Sequence, residues 1–274
     1  MHFITILHCF TIAPMPPKKK KQKSLGIIKV FAVFMALAAF AFIGYIAYLW
    51  WEARQMRFIT YEEFGIPIPA RYGIHGIDVS RYQQRISWEA VRDMEVGPIK
   101  LGFAFIKATE GNGRVDPFFK RNWQKSKQAG IVRGAYHFFL AHKDGKTQAE
   151  NFIKNVRLER GDLPPVLDVE VTFGKPSAHI RKEVKKWLDV MEAYYEVKPI
   201  IYTNADFYKT HLQGHFDHYP LWVAHYLQPH QPRISRDWHF WQHSESGKVN
   251  GISSKVDFNV FNGDSIAFKS LLVP

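Results

Sequence analysis

The chain has 274 residues, 46% of them hydrophobic, 15% aromatic and 23% charged, a composition that supports one or two packed cores and excludes a disordered or collagen-like polymer. A single cysteine, Cys9, rules out a disulfide framework, paired-cysteine zinc sites and a cysteine nucleophile in everything downstream. The formal charge of +12 is uneven, because residues 1–29 carry six lysines and no acid, leaving +6 for the remainder.

The first element is apolar. Val30 to Trp51 runs 22 residues without a charge, which at about 1.5 Å per residue spans about 33 Å, enough to cross a hydrocarbon core of about 30 Å. Lys18, Lys19, Lys20, Lys21, Lys23 and Lys29 precede the run, and Tyr45, Tyr48, Trp50 and Trp51 gather at its far end like an interfacial belt. The expectation is a basic cytoplasmic tail over 1–29, a transmembrane helix over 30–51 with its N-terminus inside, and an extracytoplasmic remainder in the periplasm or wall space. A cleaved secretory signal fits less well, since signal cores run about 7–15 residues. The sequence MPPKKKK makes a natural start for such an anchor, so Met15 is expected to be the initiator. Beside a membrane span the lysine run reads as an orientation signal and not as a nucleic-acid contact.

Residues 52–72, with Pro67, Pro69 and little periodicity, read as a linker carrying the folded part away from the bilayer. The domain proper is expected over 73–274. Eight short apolar or β-branched runs mark strands there: Gly73–Ser80, Lys100–Thr109, Val132–Phe139, Pro165–Val171, Pro199–Asn204, Leu221–Tyr226, His239–His243 and Val256–Phe261. The early spacers are helical in pattern. Ser87 precedes one segment as an N-cap, Asp116 and Pro117 open another that Gly130 closes, and Ser177 begins an amphipathic stretch. Ile180, Val184, Trp187, Leu188, Met191 and Tyr195 form its stripe. Strand–helix alternation implies parallel strands with right-handed crossovers. The last spacers are short and rich in Pro, His and Asp. The expected fold class is therefore α/β, an irregular TIM-type (β/α)5(β)3 barrel behind one N-terminal transmembrane helix.

Barrel chemistry gathers at strand ends. Asp78 ends the first run, Asp168 and Glu170 end the fourth, and Asp257 opens the last. Asp168 and Glu170 are two apart on a strand, so they leave one face with Cα atoms roughly 6.6 Å apart. Close carboxylates resist double ionisation, which keeps one protonated as an acid beside an anion, the pairing that glycosidic cleavage requires. A bare acid pair could equally cap a helix or bind calcium. Tyr82, Tyr136, His137, Phe138, Tyr202, Trp222, Tyr226 and Trp241 lie near the same ends. Flat rings with polar handles stack on sugars, although barrel core and, for His137, a hydrogen-bonded scaffold role are the plain alternatives. His137, His225, His239 and His243 lack helical metal-ligand spacing, so no metal and no cofactor are expected.

Eight segments in order, GIDVSRYQ (76–83), FIKATEG (105–111), GAYHFF (134–139), VLDVE (166–170), IIYTN (200–204), LWVAHY (221–226), FWQHSESGKVNGI (240–252) and VDFNVF (256–261), resemble the glycoside hydrolase family 25 lysozymes over nearly all of 73–274. The resemblance implies a β-1,4-N-acetylmuramidase cutting peptidoglycan between N-acetylmuramic acid and N-acetylglucosamine. It implies Glu170 as general acid/base and Asp168 as the partner of the substrate's own acetamido group, with retained configuration. Asp78 and Asp257 match the family's two other cleft acids. The substrate-binding set expected beside them is Tyr82, Tyr136, His137, Tyr202, Asn204, Trp222, Tyr226, Trp241 and Gln242. The expected partners are glycan strands and, through the anchor, a lipid bilayer, with the chain a monomer. An inactive wall-binding protein and a chitinase-like hexosaminidase are the competing readings. A +6 domain suits an anionic polymer.

Overall fold

The computed structural model of the chain describes residues 15, 23–54 and 57–274, which fall into two compact units divided after Gln55. The first is helix α1 (Lys23–Arg54). Within it Gly26–Glu52, 27 residues of mean hydropathy 2.4, is long and apolar enough to cross a membrane. Its large apolar side chains from Ile27 to Trp51 are exposed. Cys9 and Lys18 to Lys21 lie outside the described residues.

The second unit is a closed eight-stranded barrel. Its strands are β1 (His75–Val79), β2 (Ile99–Glu110), β3 (Val132–Phe138), β4 (Val166–Asp168), β5 (Ile200–Asn204), β6 (Leu221–Ala224), β7 (Phe240–Gly247) and β8 (Val256–Phe261). Each overlaps one of the eight runs marked in the sequence. The order around the ring is β1-β8-β7-β6-β5-β4-β3-β2, and β2 pairs back onto β1. Neighbours from β1 round to β7 are parallel, as the alternation predicts. The last strand departs from that prediction and runs antiparallel to both neighbours. Only residues 248–255 separate it from β7, and a parallel return needs a dozen or more residues.

Helices α2 (Trp88–Asp93), α3 (Phe119–Gln128), α4 (Gly145–Asn155) and α5 (Ser177–Tyr195) follow β1 to β4, and the short α6 (Ala205–Phe207) follows β5. The anticipated stripe on α5 is the buried one, Ile180, Val184, Trp187, Leu188 and Met191 all being inaccessible. Helix α4 lies so close to α5 that a Cβ at Gly145 would stand 2.0 Å from the Glu183 carbonyl oxygen. Only glycine fits there.

Inside the ring the strand period of two stacks apolar side chains. Phe103 and Phe105 of β2 meet Trp222, Phe240 and Phe261, with Phe105 stacked on Trp222 at 4.2 Å. Gly76 and Gly134 make this possible, since a Cβ at either would come within 2.5 Å of a phenylalanine ring. Helix α7 (Ser265–Leu271) closes the far end with Phe268, 5.1 Å from Phe261.

The linker expected over 52–72 needs correction. Phe58–Tyr61 and Ile66–Pro69 pair as an antiparallel hairpin. Phe64, Ile66, Ile68 and Tyr72 are buried, Phe64 lying 5.2 Å from Phe258 and Tyr72 5.7 Å from Trp238. The Lys248 N–H donates to the Phe64 carbonyl at 2.9 Å. Strands late in the barrel lack full covering helices, and their outer faces, with Trp241 and Phe258, must be shielded by something else. The hairpin supplies that layer, and its two prolines sit in a two-stranded ribbon where unpaired edges tolerate them.

Candidate active site

Polar residues occupy the rim positions directly above the aromatic stack. Going up one face in steps of two leads from Gly76 to Asp78, Phe105 to Lys107, Gly134 to Tyr136, Val166 to Asp168, Ile200 to Tyr202 and Phe240 to Gln242. On β8 the same face runs downward from Asp257 through Asn259 to Phe261, because this strand is reversed. Asp257 is thus paired directly with Asp78. A cavity of about 210 Å³ opens at this rim, lined by Asp78, Ser80, Tyr82, Lys107, Tyr136, Phe138, Asp168, Glu170, Tyr202, Trp222, Gln242 and Asp257.

Asp78 is the acceptor of a one-way network. Its Oδ2 accepts from Gln242 Nε2 and Asn259 Nδ2, each at 2.8 Å. Gln242 Oε1 in turn accepts the hydroxyls of Tyr202 (2.9 Å) and Tyr226 (2.6 Å), while Asn259 Oδ1 accepts the Trp222 indole N–H at 2.7 Å. The indole can only donate, and both hydroxyls point at one amide oxygen, so both amide NH2 groups must face Asp78. Burial raises the Asp78 carboxyl while the Asn259, Gln242 and Asp257 hydrogen bonds oppose the rise. Asp257 is pushed up to about 9, by burial first and then by the charge and hydrogen bond of Asp78. Asp257 is therefore the proton carrier of this pair and Asp78 its anion.

The second pair faces it. Asp168, 6% exposed, is raised well above the usual carboxylate range by burial and then by the Glu170 charge. Its Oδ1 is buried without a hydrogen-bond partner. Glu170 stands two residues beyond it, and burial and the Asp78 charge raise its carboxyl. Lys107 pulls both downward without reversing either rise. The Lys107 ammonium donates to Glu110 Oε2 at 2.9 Å and sits 4.6 Å over the Phe138 ring. Two raised carboxyls beside two more, over an aromatic floor, can keep an acid protonated near neutral pH.

Of the residues expected at the site, Asp78, Asp168, Glu170, Asp257, Tyr82, Tyr136, Tyr202, Trp222 and Gln242 line the cavity. Tyr226 reaches it only through Gln242. Three expectations are corrected. His137 is fully buried between Thr109 Oγ1 (2.7 Å) and Gln148 Oε1 (3.2 Å), with burial lowering it to about 4. Trp241 points outward against Tyr72 and Phe58 and donates to the His225 carbonyl. Asn204 caps α6 by accepting the Phe207 N–H. Each sits off the inward face or is used up by local hydrogen bonding. Conversely, Lys107 lines the cavity and Asn259 donates to Asp78, and both lie inside the quoted motifs without belonging to the expected site set. The signal was the period of two, which places them above Phe105 and beside Asp257. Among the described residues no set of three His, Cys, Asp or Glu side chains has the geometry of a metal site.

A parallel-rich barrel whose C-terminal rim carries four interacting carboxyls is the framework of a glycoside hydrolase. The profile of glycosyl hydrolases family 25 matches residues 77–252. The chain is 51% identical over 202 residues to the protein YegX of Escherichia coli K12, covering 74% of each. It is 34% identical over 218 residues to lysozyme M1 of Streptomyces globisporus, covering 73% of this chain and 71% of that one. The solved structure of a family 25 glycosyl hydrolase from Bacillus anthracis superposes with a TM-score of 0.69 at 32% identity, over 77% of this chain and 98% of the other. The chain belongs to family 25 of the glycosyl hydrolases, the lysozyme family.

Proposed function

We propose that this chain is a membrane-tethered β-1,4-N-acetylmuramidase, hydrolysing peptidoglycan between N-acetylmuramic acid and N-acetylglucosamine with retention of configuration. The observation that carries the reading is the convergence of Asp168 and Glu170, both with raised carboxyls, in one cavity with the Asp78–Asp257 pair. Glu170, protonated, delivers its proton to the departing glycosidic oxygen. The carbonyl oxygen of the substrate's 2-acetamido group attacks the anomeric carbon as the bond breaks, forming an oxazolinium. Asp168, whose Oδ1 has no partner within the protein, accepts the acetamido N–H and orients the group for attack. The Glu170 carboxylate then takes a proton from the water that opens the oxazolinium, restoring the acid. This route needs no enzyme nucleophile and suits two acids on one strand.

Tyr82 and Tyr136 offer rings and hydroxyls to the sugar, Tyr202 offers its ring while its hydroxyl stays on Gln242, and Trp222 closes the floor. The cavity is lined from this one chain, which supports a monomeric working unit. Helix α1, with lysines before it and aromatic residues at its far end, supports a single-pass anchor with its N-terminus inside.

Glu170→Gln should lower release of reducing ends from purified peptidoglycan by at least about a hundredfold, the usual scale of general acid catalysis, while binding persists. Mass spectrometry should find muramic acid at the new reducing ends of the parent's products. Glucosamine there, or a Glu170→Gln variant as fast as its parent, would overturn the assignment.

A further inference from the structure

A groove of about 780 Å³ adjoins the catalytic cavity, built from the loops after β2, β3 and β4. Phe138 lines both spaces, which makes them neighbours across one side chain at the barrel rim. The floor of the groove is apolar: Phe138, Leu140, Val171 and Phe173, the last two left 39% and 38% exposed. Its rim carries the cations Arg114 and Lys143, both exposed. The acid among the lining residues, Glu110, is already neutralised by Lys107 at 2.9 Å and Arg114 at 2.8 Å.

The groove is preformed. Gln148 Nε2 donates to the Leu140 and Lys143 carbonyls at 3.1 and 3.4 Å, and its Oε1 accepts the Leu140 N–H at 2.8 Å, which pins the 140–143 loop. The buried His137 holds Gln148 in turn. Phe173 adopts a left-handed backbone, φ +48°, unusual for a bulky residue, and its ring packs 4.9 Å from His142. The floor mixes the Phe138 and Phe173 rings with Leu140 and Val171, so its apolar part suits a sugar or a peptide alike. The cations at its edge separate the two, because a run of neutral sugars brings no carboxylate to them. The groove as a whole matches a short peptide of small apolar side chains bearing free carboxylates.

Resting on the muramidase reading, we infer that this groove holds the peptide stem of a muramoyl residue bound in the cleft, making stem-bearing glycan the preferred substrate over bare glycan. Alanyl methyl groups lie on Phe138, Leu140, Val171 and Phe173. Stem carboxylates meet Arg114 and Lys143. Because the groove is rigid before binding, little ordering is lost when a stem enters.

The test compares kcat/KM of the full-length chain on peptidoglycan strands carrying stems and on the same strands stripped of them by an amidase. Two exposed charge contacts and an apolar floor should give a preference of about tenfold for stem-bearing strands. In an Arg114→Gln/Lys143→Gln double variant the ratio should fall towards one. Lys143→Glu alone, on an exposed loop that tolerates substitution, should lower the ratio as well. A parent that cleaves both strands equally, or variants that keep the parent's ratio, would overturn the inference and leave the muramidase reading standing. A parent that cleaves neither strand would sink both.

Discussion

Asp78 and Asp257 are chemically alike and adjacent, yet their surroundings assign them opposite protonation. Every donor near Asp78 is committed to it, through Gln242 and Asn259 and behind them Tyr202, Tyr226 and Trp222. Asp257 has no comparable set and keeps its proton up to about 9, against an ordinary value of 3.8. A folded state that holds a proton the unfolded chain releases is favoured below about 4 and loses that advantage as pH rises towards 9. The loss runs at up to about 1.4 kcal/mol per pH unit. Asp257→Asn retains a donor towards Asp78 and does not titrate. Its thermal midpoint should therefore gain on the parent's steadily between pH 5 and pH 8. A constant difference across that range would show that Asp257 is not the proton carrier.

At the scale of elements, two pieces of the chain make the site complete by unexpected routes. The reversal of β8 carries the start of that strand, and Asp257 with it, to the rim where the other strands end. A parallel eighth strand would have placed the same residue at the opposite, closed end of the barrel. The hairpin over 58–69 performs for β7 and β8 what α2 to α5 perform for the earlier strands. Phe64 is wholly buried at the centre of that contact, so Phe64→Ala should cost about 3–5 kcal/mol in a denaturant titration. A cost below about 1 kcal/mol would mean that the hairpin is a detachable stalk after all.

At the scale of the molecule, the apolar helix and the barrel are separate compact units, and the helix is long and apolar enough to cross a membrane. If α1 spans the bilayer, the full chain should stay with the membrane pellet through an alkaline wash. A chain beginning at Met56 should be soluble and retain hydrolytic activity on peptidoglycan. Release of the full chain by the wash would replace the anchor with a peripheral or cleaved segment. A tether of this kind would confine hydrolysis to glycan near the membrane face, where the net charge of +6 carried by the rest of the chain suits an anionic polymer.

Much of this was legible in the residues themselves. Eight strand runs, the buried stripe of α5, the charge-free N-terminal segment and the four acids all follow from local periodicity, and the ordered motifs added the family. Periodicity is imposed by the covalent chain, whose side chains repeat every two residues in a strand and every 3.6 in a helix, so sequence alone exposes it. Which way a face turns depends on what lies against it. Trp241 and His137 read as cleft residues from sequence, but Phe58 of the hairpin with Tyr72 claims the first and Gln148 the second. The linker became a layer of core, the last strand reversed, and one of two equivalent aspartates took the proton. Those outcomes were decided by tertiary structure, because each depends on partners distant in the chain: Phe258 for Phe64, Gln242 and Asn259 for Asp78, and the rim itself for Asp257.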